Sequence, residues 1–111
     1  MALIGPEGRK NMSPINSLIF EGEPTEVNFE TIEQSVRTTF KVTSRRLLQK
    51  LDDGKELWEN ATAVVETYGN LAKLCEAKLN GCARVRVVGR LANAGDKLII
   101  VGEHVEFVKK K

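Results

Sequence analysis

The stretch from Arg84 to Phe107 limits the fold more than any other part of this chain: RVRVVGRL, the short polar ANAGDK, then LIIVGEHVEF. Val85, Val87 and Leu91 alternate with Arg84, Arg86 and Arg90, so a strand here turns one face into a core and carries cations on the other. The connection spans only Ala92 to Lys97, which makes the two runs a hairpin. Gly89 and Gly102 fall where a strand can bulge or bend sharply. A curved, closed sheet with a charged outside follows.

The rest of the chain supplies three more strands and one helix. Ile15 to Gly22 reads as a first strand, with Leu18 and Phe20 inward and Ser17, Ile19 and Glu21 outward. Glu23 to Gln34 is acidic, holds Pro24 and has only a weak pattern around Val27, Phe29 and Ile32, so it reads as a loop with at most a short strand. Val36 to Ser44 is rich in β-branched residues and reads as a second strand, burying Thr38, Phe40 and Val42 while Arg37, Thr39, Lys41 and Thr43 face out. Arg45 to Asn60 forms a polar arm. Leu47, Leu48 and Leu51 recur there at helical spacing, but Asp53-Gly54 at its centre and the flanking strands favour a projecting hairpin. Ala61 to Tyr68 is a third strand, with Ala63, Val65 and Thr67 on one face and Thr62, Val64, Glu66 and Tyr68 on the other. After Gly69-Asn70 the period changes. Leu71, Leu74, Cys75 and Leu79 follow at helical spacing, with Asn70 as N-cap and Asn80-Gly81 as the stop, and the leucines are expected in the core.

Five strands with a helix between the third and fourth is the order of the OB-fold, an all-β Greek-key barrel with one helix. Residues 12–108 are expected to form it as a single domain, since 111 residues suffice for one modest core. Met1 to Asn11 reads as a flexible leader or an appended remnant ahead of Met12, and Lys109 to Lys111 as a basic tail. No apolar run approaches the roughly 20 residues of a membrane span, and no signal peptide is apparent, so an intracellular protein without a membrane partner is expected.

Nothing in the sequence supports an enzyme. There is no Ser/His/Asp or Cys/His constellation, no phosphate-binding glycine loop and a single histidine, His104, which is read as structural. Cys75 and Cys82 are read as two small, semi-buried thiols, with no metal or cofactor expected. A binding surface remains. Net charge is only +2, but it is unevenly spread: Met12 to Val36 holds five acids and no base, and Arg37 to Lys50 five bases and no acid. Such a polarised domain could bind a polyanion on one side.

Single-stranded nucleic acid needs cations that track phosphates and flat rings on which bases stack. The candidate cations are Arg37, Lys41, Arg45, Arg46 and Lys50 on the second strand and its arm, with Arg84, Arg86 and Arg90 on the fourth. Phe20 and Phe40 are assigned to the core, Phe29 and Phe107 to neither side, which leaves Tyr68 and Trp58 as candidate stacking rings.

From about Asn16 to Phe107 the chain resembles the bacterial single-stranded DNA-binding protein family. NSLIFEG resembles its opening strand, FKVTSRR its second, ETYGNLAKLCEAKLNG its third strand and helix, and VRVVGRL with IVGEHVEF its closing pair. The resemblance implies a homo-oligomer, tetramer or dimer, that binds single-stranded DNA without sequence preference in replication, recombination and repair. It also implies a cytoplasmic, nucleoid-associated protein that meets replication or repair proteins. Tyr68 matches the family's ring before the glycine of the third strand. Thr62 and Leu47 or Leu48 stand where the family carries other rings, and its long loop between strands four and five is cut to ANAGDK. The family's acidic tail ending in Pro-Phe has no counterpart among the final lysines. The alternative is an OB-fold protein-interaction or primosome-like subunit with weak or no DNA binding. An RNA-binding OB-fold is a third reading, because a cationic groove alone does not distinguish the sugar.

Overall fold

The computed structural model describes residues 14–110. The leader expected at Met1 to Asn11 lies outside them. Five strands are present: β1 (Leu18–Ile32), β2 (Ser35–Lys50), β3 (Glu56–Tyr68), β4 (Cys82–Ala94) and β5 (Lys97–Lys109). Helix α1 (Gly69–Lys78) and a 3-10 turn (Leu79–Gly81) join β3 to β4. The sheet closes in the order β1-β2-β3-β5-β4, with β1 pairing with both β2 and β4. β3 and β5 run parallel at Val65↔Ile100 and Glu66↔Val101, and the other pairs are antiparallel. This is the expected OB-fold barrel.

Alternation sets its core. Phe40 and Val42 of β2, Val65 of β3 and Val85 and Val87 of β4 are fully buried, and Ile100 and Val105 of β5 nearly so. The inward threonines need partners, because a buried hydroxyl without one is costly. Thr38 Oγ1 donates to the Ala72 carbonyl at 2.6 Å, fastening α1 to β2, and Thr67 Oγ1 donates to the Thr38 carbonyl at 3.3 Å.

Four expectations change. Glu23 to Ile32 is strand rather than loop: pairing with β2 from Glu23↔Thr43 to Ile32↔Ser35 outweighs the weak local pattern. Pro24 is tolerated because β4 pairs with β1 only from Leu18 to Gly22, so beyond that point β1 has an open edge. The helix begins at Gly69, and Asn70 is not its cap. Tyr68 holds the cap position in extended backbone without a side-chain bond, and Gly69, at φ 65°, makes the bend. Leu74 is exposed, whereas Ala72 and Cys75 point inward, small enough for α1 to lie close against the sheet. Leu91 is exposed as well, since Leu18↔Gly89 is the last pair between β1 and β4 and the β4–β5 hairpin runs on past it. That hairpin pairs as far as Ala94↔Lys97 and turns on Gly95 and Asp96 alone, with a register shift at Val88/Gly89.

Candidate nucleic-acid interface

The outward residues of β2 and β3 form one continuous face. Cross-strand register sets Arg37 opposite Tyr68, Thr39 opposite Glu66, Lys41 opposite Val64, Thr43 opposite Thr62 and Arg45 opposite Asn60. Thr43 and Thr62 share a hydroxyl hydrogen bond at 2.9 Å. The Tyr68 hydroxyl donates to Glu66 Oε1 at 2.5 Å, which raises the phenol above its ordinary value. Burial adds to the shift, and hydrogen bonding to Arg37 opposes it.

Beyond Thr43, β1 no longer pairs with β2, so Arg45–Lys50 and Glu56–Asn60 project as a two-stranded arm. The Asp53-Gly54 signal does close it: Gly54 N donates to the Leu51 carbonyl at 3.0 Å and Lys55 N to Asp53 Oδ1 at 3.0 Å. Gly54 takes φ 89°, a conformation that glycine adopts without strain. Trp58 shares the Tyr68 face, ten residues away along β3, or roughly 33 Å at ~3.3 Å per residue. The two rings therefore cannot clamp the same base. The Arg45 guanidinium lies over the Trp58 ring, 4.7 Å from its centroid, and Trp58 Nε1 donates to Glu56 Oε1 at 3.2 Å. An extra residue between Leu47 and Gln49 brings Lys50 onto this same face, opposite Glu56.

The structure thus groups Arg37, Lys41, Arg45, Lys50, Trp58 and Tyr68. It separates Arg46, which pairs with Glu59 on the other side of the arm and lines a depression with Ile19 and Glu21. Nor is the grouped face simply cationic. The two charge blocks are antiparallel neighbours, so β1 partly neutralises β2: Glu30 accepts from Arg37, with Nε at 3.0 Å, and Glu26 lies 3.3 Å from Lys41 Nζ. The Glu30 bond is the main reason the Arg37 guanidinium is pushed up. Among the described residues no ion pair holds Arg45, Arg46 or Lys50. The unmatched charge has moved out along the arm.

The β4 arginines are held by carboxylates too. Arg84 and Arg86 both bond Glu21, and Arg86 also approaches Glu106 at 3.5 Å. Arg90 Nη1 donates to Glu103 Oε2 at 2.8 Å. These carboxylates are the residues of the face that composition did not single out. Sequence reading missed them because which acid meets which base depends on the register of β1 against β2 and β4 and of β4 against β5. Such exposed pairs are worth about 0–1 kcal/mol each, so a phosphate can displace them. His104 is exposed beside Glu106, and Cys75 and Cys82 are buried, their thiols pushed up chiefly by that burial.

No family model and no curated protein matches the chain. Solved structures do resemble it. One is the SSB of Plasmodium falciparum in complex with ssDNA: TM-score 0.68 and 14% identity, covering 91% of this chain and 99% of that one. A deletion mutant of the single-stranded DNA binding protein from Thermus aquaticus gives TM-score 0.66 and 15% identity over 86% of this chain and 51% of that one. PriB from Ralstonia solanacearum gives 0.67 and 12% over 85% and 98%. At such identities the likeness defines the fold: an OB-fold barrel of the type found in these proteins.

Proposed function

We propose that the chain binds single-stranded DNA without sequence preference, along the β2–β3 face and outward over the arm, protecting it in replication, recombination and repair. The observation that carries this reading is Arg45 stacked over Trp58 on an exposed arm, with Lys50 farther out and Tyr68 farther in along the same face. An aromatic plane and unneutralised cations are what a flexible polyanion with stackable bases requires, each stacked base being worth roughly 1–3 kcal/mol. With Thr62 in place of a further ring, the grip leans on phosphate contacts. The exposed strip of Ile19, Leu91 and Leu98 supports self-association as a dimer or tetramer. A cytoplasmic, nucleoid-associated location and contacts with replication or repair proteins belong to the same reading.

The carboxylates on the face favour a second reading, an OB-fold interaction module of primosome type with weak DNA binding. Titrating a fluorescein-labelled dT oligonucleotide of about 35 nucleotides at two salt concentrations separates them. DNA binding predicts anisotropy that rises at low salt, with log K falling about 0.7 per contacted phosphate against log salt. No binding at low salt and micromolar protein would reject it in favour of a protein partner.

A further inference from the structure

At the root of the arm one carboxylate holds two arginines. Glu21 Oε2 accepts from Arg84 Nε at 2.8 Å and Glu21 Oε1 from Arg86 Nε at 3.0 Å. Register explains the arrangement: Arg86 lies directly opposite Glu21 in the β1–β4 ladder, and Arg84, two residues away, shares its face. The depression beside them is lined by Glu21, Thr43, Arg45 and Arg84. Arg45, which lies over Trp58, therefore opens onto a place where a second guanidinium, that of Arg84, is present but engaged by Glu21, whose other oxygen holds Arg86. Glu106 Oε1 also lies 3.5 Å from Arg86 Nη1, and all four members of this cluster are partly exposed, with side-chain accessibilities of 53% for Arg84, 51% for Arg86, 36% for Glu21 and 53% for Glu106. Their pairing is exchangeable rather than locked.

We propose that Glu21 sets how many phosphates the chain engages, by competing with nucleic acid for Arg84 and Arg86. The inference rests on the nucleic-acid reading of the arm and deepens it. A strand leaving Trp58 and Arg45 toward the barrel meets the depression next, and there each guanidinium is offered either a carboxylate or a phosphate, both of which suit its planar fork. While Glu21 is in place, the two arginines add little to binding.

Glu21→Gln keeps the side-chain shape and removes the competitor shared by Arg84 and Arg86, leaving Glu106 near Arg86. Arg84 then adds one phosphate contact and Arg86, still within reach of Glu106, at most a second, each steepening the salt dependence by about 0.7 log unit per decade, so the gain lies between about 0.7 and 1.4. Lowering salt tenfold should then tighten the variant about 5- to 25-fold more than the wild type. The comparison uses anisotropy of labelled dT oligonucleotide with four proteins: wild type, E21Q, E76Q, and E21Q combined with R84Q and R86Q. E76Q deletes the same charge on α1 and should run parallel to the wild type. The triple variant should lose the extra slope. Thermal melting of each by circular dichroism establishes that they are folded. An E21Q slope equal to that of the wild type, or a triple variant that retains the gain, overturns the role of Glu21 and leaves the DNA-binding reading intact. A wild type that binds no oligonucleotide at low salt overturns both.

Discussion

Gly22 is where β1 passes from one neighbour to the other, pairing with Val85 of β4 while Glu23 next to it pairs with Thr43 of β2. A methyl group there would lie 2.1 Å from the Thr43 carbonyl oxygen, 2.5 Å from its carbon and 2.9 Å from Ser44 N. Ordinary carbon–oxygen contact begins at about 3.3 Å, so Gly22→Ala forces β1 and β2 about 1 Å apart. The obstacle is backbone, which no rotamer change can clear. The cost should meet or exceed the upper end of ordinary overpacking, about 3 kcal/mol. In a domain of this size each kcal/mol moves Tm by about 4–8 °C, so the variant should melt at least about 12 °C below the wild type. Gly81→Ala is the control, because its added methyl meets nothing within 4 Å and should change stability by no more than about 0.5 kcal/mol. Thermal and urea unfolding followed by circular dichroism measure both. A Gly22→Ala protein that melts within about 4 °C of the wild type would refute the argument that the barrel closes through this contact.

Tyr68 is the only tyrosine in the chain, so its phenolate absorbance reports the face directly. Its titration midpoint should lie above the ordinary 10.0 and fall toward it in Glu66→Gln; a wild-type midpoint at or below 10.0 would deny the bond. Because the fold favours the neutral phenol, this bond stabilises fully below the unfolded midpoint and is lost as pH rises through the raised folded one. Cys75 and Cys82, buried and with thiols pushed up chiefly by that burial, should resist a disulfide reagent at mildly alkaline pH and both react on unfolding. Rapid labelling of either thiol in the native protein would contradict that packing.

Much of this fold is legible in local pattern because inward and outward residues alternate. Thr38, Phe40 and Val42 fall inside and Arg37 and Lys41 outside, as the run from Val36 to Ser44 implies, and Asp53-Gly54 marks the tip of the arm. What stays hidden depends on partners. Glu23 to Ile32 is strand only because β2 lies beside it, and Leu91 is exposed only because β1 ends its pairing with β4 at Leu18↔Gly89. For the candidate site, alternation alone separates Arg46 from Arg45, since consecutive strand residues cannot share a face. The placement of Lys50 could not be read that way, because it depends on the extra residue between Leu47 and Gln49. Neither could the neutralisation of Arg37, Lys41, Arg84 and Arg86, which needs the register of β1 against two strands at once.

Trp58 is the only tryptophan, and its emission is the most direct probe of where a strand would lie. Adding unlabelled dT oligonucleotide at low salt should quench it in step with binding seen by anisotropy, and added salt should restore it. Binding that leaves the emission unchanged would take the nucleic acid off the arm and contradict the interface proposed here.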